Sequence, residues 1–169
     1  SSQVYLFQGL PKADKMELII QKAVELGVYA VIPVATKRSV VKLDEKKAKN
    51  KIARWQAISE SAAKQSKRAM VPKVMDVMTF HEAIEFASKM DAKVIPYEMA
   101  EGMKATKEWL EASMNAEEIA VFIGPEGGFD ETEIQKAVEQ KICPISLGKR
   151  ILRTETAGMT ALSILMYHL

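Results

Sequence analysis

Residues 119–139, IAVFIGPEGGFDETEIQKAVE, pass from an unbroken apolar run through a glycine-rich turn into a helix signal. Ile119–Ile123 is too short for a helix and too apolar for a half-exposed strand, so it reads as a strand buried on both faces. Asp130-x-x-Glu133 then provides a helix-capping box, with the helix running from Ile134 to Glu139. Strand, loop and helix in this order form the repeating unit of a parallel sheet. The unit recurs along the chain. Strands are expected at Val4–Gly9, Val28–Ala35, Val74–Val77, Lys93–Tyr97 and Ile142–Leu147. Helices are expected after Asp14-x-x-Glu17, after Asp44, from Thr79-x-x-Glu82 to Met90, over Thr106–Ala112 and over Glu155–His168. The fold class is therefore α/β, a parallel sheet with helices on both faces. Such sheets take ligands at the carboxyl ends of their strands, which directs attention to the loops after Tyr97, Ile123 and Leu147.

The 169 residues suit one domain, 1–169, with a sizeable core. Net charge is only +2, so the total implies no nucleic-acid partner. The distribution does. From Lys46 to Lys73 there are nine basic residues (Lys46, Lys47, Lys49, Lys51, Arg54, Lys64, Lys67, Arg68, Lys73) against one acid, Glu60, which gives the fold a basic face. Cys143 is the only cysteine; it excludes an internal disulfide and suits a reducing, cytoplasmic setting. No apolar run reaches the roughly 18–20 residues that span a bilayer, so no membrane partner is expected. His81, His168 and Cys143 lack ligand spacing, so no metal is expected. The ten methionines read as core filler.

Two loops carry chemistry. In Ile123-Gly124-Pro125-Glu126-Gly127-Gly128-Phe129, three glycines permit positive φ and close approach of backbone to a ligand. The pattern is neither a dinucleotide fingerprint nor a P-loop, and an ordinary strand-to-helix turn would also account for it. In Leu147-Gly148-Lys149-Arg150-Ile151-Leu152-Arg153-Thr154-Glu155-Thr156-Ala157, three basic side chains bracket Ile151 and Leu152, and a helix start rich in small residues follows. A solvated turn before a tightly packed helix explains this, as does an apolar nucleoside pocket with a polyanion at its rim.

In that order and at that separation, IGPEGGF and LGKRILRTETA resemble the ribosomal small-subunit RNA uridine-N3 methyltransferases, the RsmE family of the SPOUT superfamily. The likeness extends to LPKADKMELIIQKAVELGV (10–28), ATKRSVVKL (35–43) and AAKQSKRAMVP (62–72). It implies a SPOUT-type α/β knot (a deep C-terminal trefoil), a homodimer formed through the knot region, and S-adenosyl-L-methionine held largely by backbone groups of three loops. The reaction implied is methylation of N3 of a uridine in 16S rRNA of the small ribosomal subunit, an EC 2.1.1 activity. A related SPOUT enzyme acting on another nucleotide or a ribose hydroxyl stays open, as do a non-catalytic RNA-binding module and a doubly wound domain for a different nucleotide. Family members generally carry an N-terminal PUA-like RNA-binding domain, to which nothing in these residues corresponds. They also commonly have an acid at the Lys64 position and Gly at the Lys67 position, which leaves this chain more basic there.

The resemblance further implies a cofactor site of Ile123, Gly124, Pro125, Glu126, Gly127 and Gly128 from one loop. Leu147, Gly148, Ile151, Leu152, Thr156 and Ala157 would come from the second, and Pro96, Tyr97 and Glu98 from the third. Leu147, Ile151 and Leu152 would face adenine, and Glu126 a ribose hydroxyl or its own loop. Uridine N3 is protonated at neutral pH, so transfer needs its proton removed or the imide anion stabilised. Arg38 and Arg153 are the candidates for stabilising that charge. Glu155 is the candidate base, although a carboxylate at a helix start is favoured by the dipole alone. Lys37, Lys64, Gln65, Arg68 and Arg150 are the candidate RNA contacts, with a solvated face as the plain reading of each.

Overall fold

A computed structural model describes residues 1–97 and 102–169. The strands are β1 (Gln3–Gly9), β2 (Ala30–Ala35), β3 (Lys73–Val74), β4 (Met78–Thr79), β5 (Ala92–Pro96), β6 (Glu118–Ile123) and β7 (Cys143–Ile145). The helices are α1 (Lys15–Glu25), α2 (Glu45–Gln65), α3 (Phe80–Ala87), α4 (Gly102–Ala112), α5 (Glu131–Glu139) and α6 (Thr154–His168).

Every strand pairing is parallel, in the order β3-β2-β1-β6-β5-β7, with β4 continuing along the β2 edge beyond β3. The apolar run 119–123 lies at the centre, flanked by β1 and β5, which is why it carries no solvent-facing position. One face of the sheet packs Val4, Leu6, Val121 and Ile123 against α1, α2 and α6, with Trp109 and Leu110 of α4 beside them. The other packs Phe7, Ile32, Ile95 and Phe122 against α3 and α5. Phe7 and Phe122 stack at 4.4 Å on adjacent strands. Each fully buried aliphatic or aromatic side chain of this kind contributes about 1.5–3 kcal/mol.

The capping boxes expected at Thr79 and Asp130 form, with both reciprocal bonds present. The one expected at Asp14 does not: its side chain makes no capping bond, and Glu17 instead pairs with Arg54 of α2 at 2.5 Å. A tertiary ion pair has taken the carboxylate that the local pattern assigned to the cap. α2 ends in a Schellman turn, Lys67 N–H donating to the Lys64 carbonyl and Arg68 N–H to that of Ala63. Lys67 sits there at φ +59°, a conformation that favours glycine.

The last part of the path positions the site. From β6 the chain crosses on the α5 face to β7 at the sheet edge. It then returns past the carboxyl end of β5 to seat α6 on the opposite face, against α1 and β6. The β6–α5 and β7–α6 loops thus diverge to opposite sides of the sheet and leave a crevice between them.

Candidate functional site

The crevice is a cleft of about 640 Å³ at the carboxyl ends of β5, β6 and β7, within the size range of small-molecule sites. Ile123 to Phe129 form one wall, Pro96 and Tyr97 another, and Leu147, Gly148, Arg150, Ile151, Leu152, Thr154 and Ala157 the third. Arg38 and Glu131 complete the lining. The mixture is that of a nucleoside pocket, with apolar side chains beside exposed main chain.

The glycine-rich wall is braced from several directions. Gly124 packs so closely on the turn that a Cβ there would lie 3.0 Å from the carbonyl carbon of Gly128 and 3.1 Å from its Cα. Gly128 has φ +73° and donates its N–H to the Pro125 carbonyl at 2.8 Å. The carbonyl of Gly124 accepts the Thr154 hydroxyl at 2.6 Å, and the same hydroxyl accepts Nε2 of Gln8 at 2.8 Å. Gln8 is fully buried in β1, so one side chain of the central sheet fixes the direction of the Thr154 proton and, through it, the Gly124 peptide. At Gly9, a Cβ would fall 2.6 Å from Cδ of Pro125. Phe129 closes the turn by packing on Phe80 at 5.5 Å between centroids.

Charged groups supply the rest of the bracing. Glu126 accepts the Lys12 N–H at 3.0 and 3.2 Å and pairs with Lys15 at 3.1 Å. Burial pushes its carboxyl up, but the N–H of Lys12, its own loop amide and the Lys15 ammonium outweigh this and hold it below the usual carboxylate range. Arg38 donates to the Gly127 carbonyl at 2.8 Å, laying its stem against that glycine and its guanidinium on the cleft wall. Lys37 N–H donates to Glu133 at 3.1 Å, and the Lys37 ammonium meets Asp130 at 3.5 Å and the hydroxyl of Thr132. The segment after β2 is thereby tied to the start of α5.

The 147–153 wall is anchored at its start, where the Thr106 hydroxyl of α4 donates to the Ser146 carbonyl at 2.8 Å and accepts the Ser146 N–H at 3.1 Å. Ser146 and Gly148 exchange two bonds of 3.1 Å, Gly148 has φ +118°, and Ile151 is 83% exposed.

The structure gathers Arg38, Arg150 and the sequence-derived cofactor positions Pro96, Tyr97, Ile123, Gly124, Pro125, Glu126, Gly127, Gly128, Leu147, Gly148, Ile151, Leu152 and Ala157 around one cleft. Glu98 lies outside the described residues. Thr156 does not line the cleft; it is exposed on the first turn of α6, and Thr154, two residues earlier, faces inward instead. Arg153, the N-cap residue of α6, is exposed and off the lining. Glu155 is also off the lining: its Oε2 is buried, has no hydrogen-bond partner and lies 3.9 Å from the Lys15 ammonium. Lys64, Gln65 and Arg68 stand at the far end of α2, toward the amino ends of the strands. There Arg68 donates to the carbonyls of Val24 and Val28 at 3.0 and 2.7 Å, closing the end of α1.

Sequence reasoning missed Gln8, Thr154 and the second bond of Glu133. An amide inside the apolar run VYLFQG was the available signal for the first. Glu133 was legible only as a cap.

The sequence matches the RNA methyltransferase domain family over residues 1–166. It is 44% identical over 168 residues to a ribosomal RNA small subunit methyltransferase E of Bacillus subtilis, covering 98% of this chain and 66% of the relative. It is 36% identical to the protein of that name from Mesomycoplasma hyopneumoniae, covering 96% and 68%. The chain thus spans about two thirds of the length of these relatives. Among solved structures, it superposes with TM-score 0.91 on a putative methyltransferase of Legionella pneumophila in complex with its bound cofactor SAM, at 34% identity and covering 98% of this chain and 66% of that one. With TM-score 0.85 and 35% identity it superposes on a ribosomal RNA small subunit methyltransferase E of Neisseria gonorrhoeae bound to S-adenosyl methionine, with the same coverages. These likenesses establish a SPOUT-type architecture.

Proposed function

Since the chain belongs to the ribosomal RNA small subunit methyltransferase E family, we propose that it binds S-adenosyl-L-methionine in the cleft and methylates N3 of a uridine in 16S rRNA. The observation that carries this reading is the pre-shaped glycine wall: a Cβ on Gly124 would press on the Gly128 and Phe129 backbone at 3.0–3.1 Å, and Gly128 and Gly148 hold positive φ with open space where a Cβ would stand. Such a cradle presents backbone donors and acceptors to a bent ligand. Leu147, Ile151 and Leu152 offer adenine an apolar slot, and main chain at 124–128 and the Pro96–Tyr97 edge serve ribose and the amino-acid part. Bound there, the group supplies an electrophilic methyl on a sulfonium and leaves as a neutral thioether.

The chain's own work falls on the acceptor. With the N3 proton passing to solvent water, negative charge would spread over O2 and O4 of the uracil, and Arg38 on the cleft wall would stabilise it. Arg150 lies at the same rim and suits a phosphate or a base edge. Arg153, exposed at the head of α6, reads as a second charge stabiliser approached from solvent. Glu155, turned toward Lys15, reads more simply as a residue that orients the α6 start than as a base. Glu126, engaged by Lys12 and Lys15, positions its loop.

A homodimer through the α6 region accords with the apolar surface there: Ile151, Tyr167 and Leu169 are 83, 94 and 44% exposed, and Leu18 of α1 is 40% exposed. A cytoplasmic setting accords with the unpaired Cys143.

The test is transfer of labelled methyl from S-adenosylmethionine to small-subunit particles, followed by nucleoside analysis. Label in 3-methyluridine is expected. Label in another base or a ribose would move the chain to a different SPOUT specificity, and binding without transfer would favour an RNA-binding module.

A further inference from the structure

Resting on the RNA reading above, we propose that the outward face of the first half of α2 is the track along which the RNA backbone runs as it leaves the cleft. Helix α2 is 21 residues long, about 30 Å at 1.5 Å per residue. It turns Trp55, Ser59, Ala62 and Ala63 to the core. Lys46, Lys47, Lys49 and Lys51 fall within its first two turns, and all are exposed. None of the four enters a salt bridge among the described residues. Arg54, one turn on, is neutralised by Glu17; at the amino end of the helix the four lysines face two acids, Glu45 and the N-cap Asp44, whose side chain accepts the Lys47 N–H. A lysine cluster at a helix start opposes the dipole, so it gains nothing from the helix itself.

That end lies on the cleft side of the sheet. The segment leading into α2 leaves the carboxyl end of β2 and carries Arg38, which lines the cleft. Seven residues from Arg38 to Glu45 span at most about 25 Å fully extended, a few nucleotides of single strand. Arg150 and Arg38 line the cleft, and the proposed track continues from them onto the α2 lysines. The matching partner is a polyanion with regularly spaced charges; the aromatic of this helix, Trp55, is buried in the core, so the exposed lysines suit phosphates rather than bases.

The experiment compares three chains binding a 20-nucleotide uridine-rich RNA across a range of salt concentrations. They are the unaltered protein, a variant with Lys46, Lys47, Lys49 and Lys51 each changed to Gln, and a control with Lys89, Lys107, Lys136 and Lys141 each changed to Gln. Both variants lose four charges. The track variant is expected to bind at least tenfold more weakly at low salt, with a slope of log affinity against log salt shallower by about 2–3, from about 0.7 per phosphate on a single strand. The control is expected to change less than twofold. A Lys46→Gln, Lys47→Gln pair should give about half the slope change, which guards against misfolding of the fourfold variant. Equal losses in both fourfold variants, or no loss in the first, would overturn the track while leaving the RNA reading intact. An unaltered chain that binds S-adenosylmethionine but no RNA would overturn both.

Discussion

The two loops that wall the cleft share a glycine and a place at the carboxyl edge of the sheet, yet they are held quite differently. The 124–129 loop is fixed from outside by Gln8 through Thr154, by Lys12 and Lys15 through Glu126, by Arg38 on Gly127 and by Phe80 on Phe129. The 147–153 loop is anchored at its start through Ser146, which the Thr106 hydroxyl of α4 holds, and beyond Gly148 it leaves Ile151 almost fully exposed. One wall is preorganised for a ligand; the other presents apolar surface that only a ligand or a partner would cover. Preorganisation lowers the ordering cost of binding, so damage to the first wall should register in folding and affinity together, and damage to the second in affinity alone.

The largest effect is expected from Gly9→Ala, which would drive a Cβ to 2.6 Å from Pro125 Cδ and 2.8 Å from its nitrogen. Overpacking against backbone costs about 1–3 kcal/mol, to be seen as a lowered melting temperature together with weakened S-adenosylmethionine binding. Thr154→Val comes next. It keeps the side-chain shape but strands the Gly124 carbonyl and one of the two N–H groups of Gln8, the other staying on the Gly9 carbonyl at 3.0 Å, a penalty of about 1–3 kcal/mol for buried unsatisfied groups. Calorimetric titration should show weaker cofactor binding, and Thr154→Ser should restore most of it. If Thr154→Val binds normally, the bracing through Gln8 is unimportant.

Glu126→Gln is expected to cost about 1 kcal/mol at neutral pH through weakened bonds to Lys12 and Lys15. Because the folded carboxyl titrates below its ordinary value of 4.5, its contribution is fully present above that value. It is lost as pH falls through the lower folded value. Melting curves of the two proteins should therefore converge in acid and separate as pH rises; a constant gap would contradict the ion-pair account. The smallest effect on folding belongs to Ile151→Ser, within about 0.5 kcal/mol at an exposed site. It should still weaken cofactor binding severalfold. A stability loss there would mean that the second wall is packed more firmly than its exposure indicates.

The contrast between the walls also marks what the sequence reveals. Alternating apolar runs and caps disclosed the parallel sheet, and the Thr79 and Asp130 boxes formed as their spacing demanded. The glycine-rich turn and the Ile151–Leu152 pair between basic residues singled out two loops, but either could be an ordinary turn, and it was the family resemblance that supplied the lining positions. The bracing was not legible. Gln8 and Thr154 are 146 positions apart, and no local period announces a bond at that separation. Asp14 failed as a cap because its backbone, at φ −89° and ψ 11°, is outside the extended conformation an N-cap needs, while Glu17 pairs with Arg54. The family resemblance implies Thr156 for the wall, whereas Thr154 faces inward and Thr156 is exposed, because the first turn of α6 decides which side chain points into the cleft. Lys67, a plain surface lysine by composition, occupies a left-handed backbone position that only the fold exposes.

The most direct test of the central claim is a calorimetric titration of the chain with S-adenosylmethionine, alongside ATP and NAD as controls. Saturable binding of S-adenosylmethionine, weakened by Thr154→Val and absent for the controls, is the expected result. No heat and no melting shift at millimolar S-adenosylmethionine would contradict the assignment of the cleft.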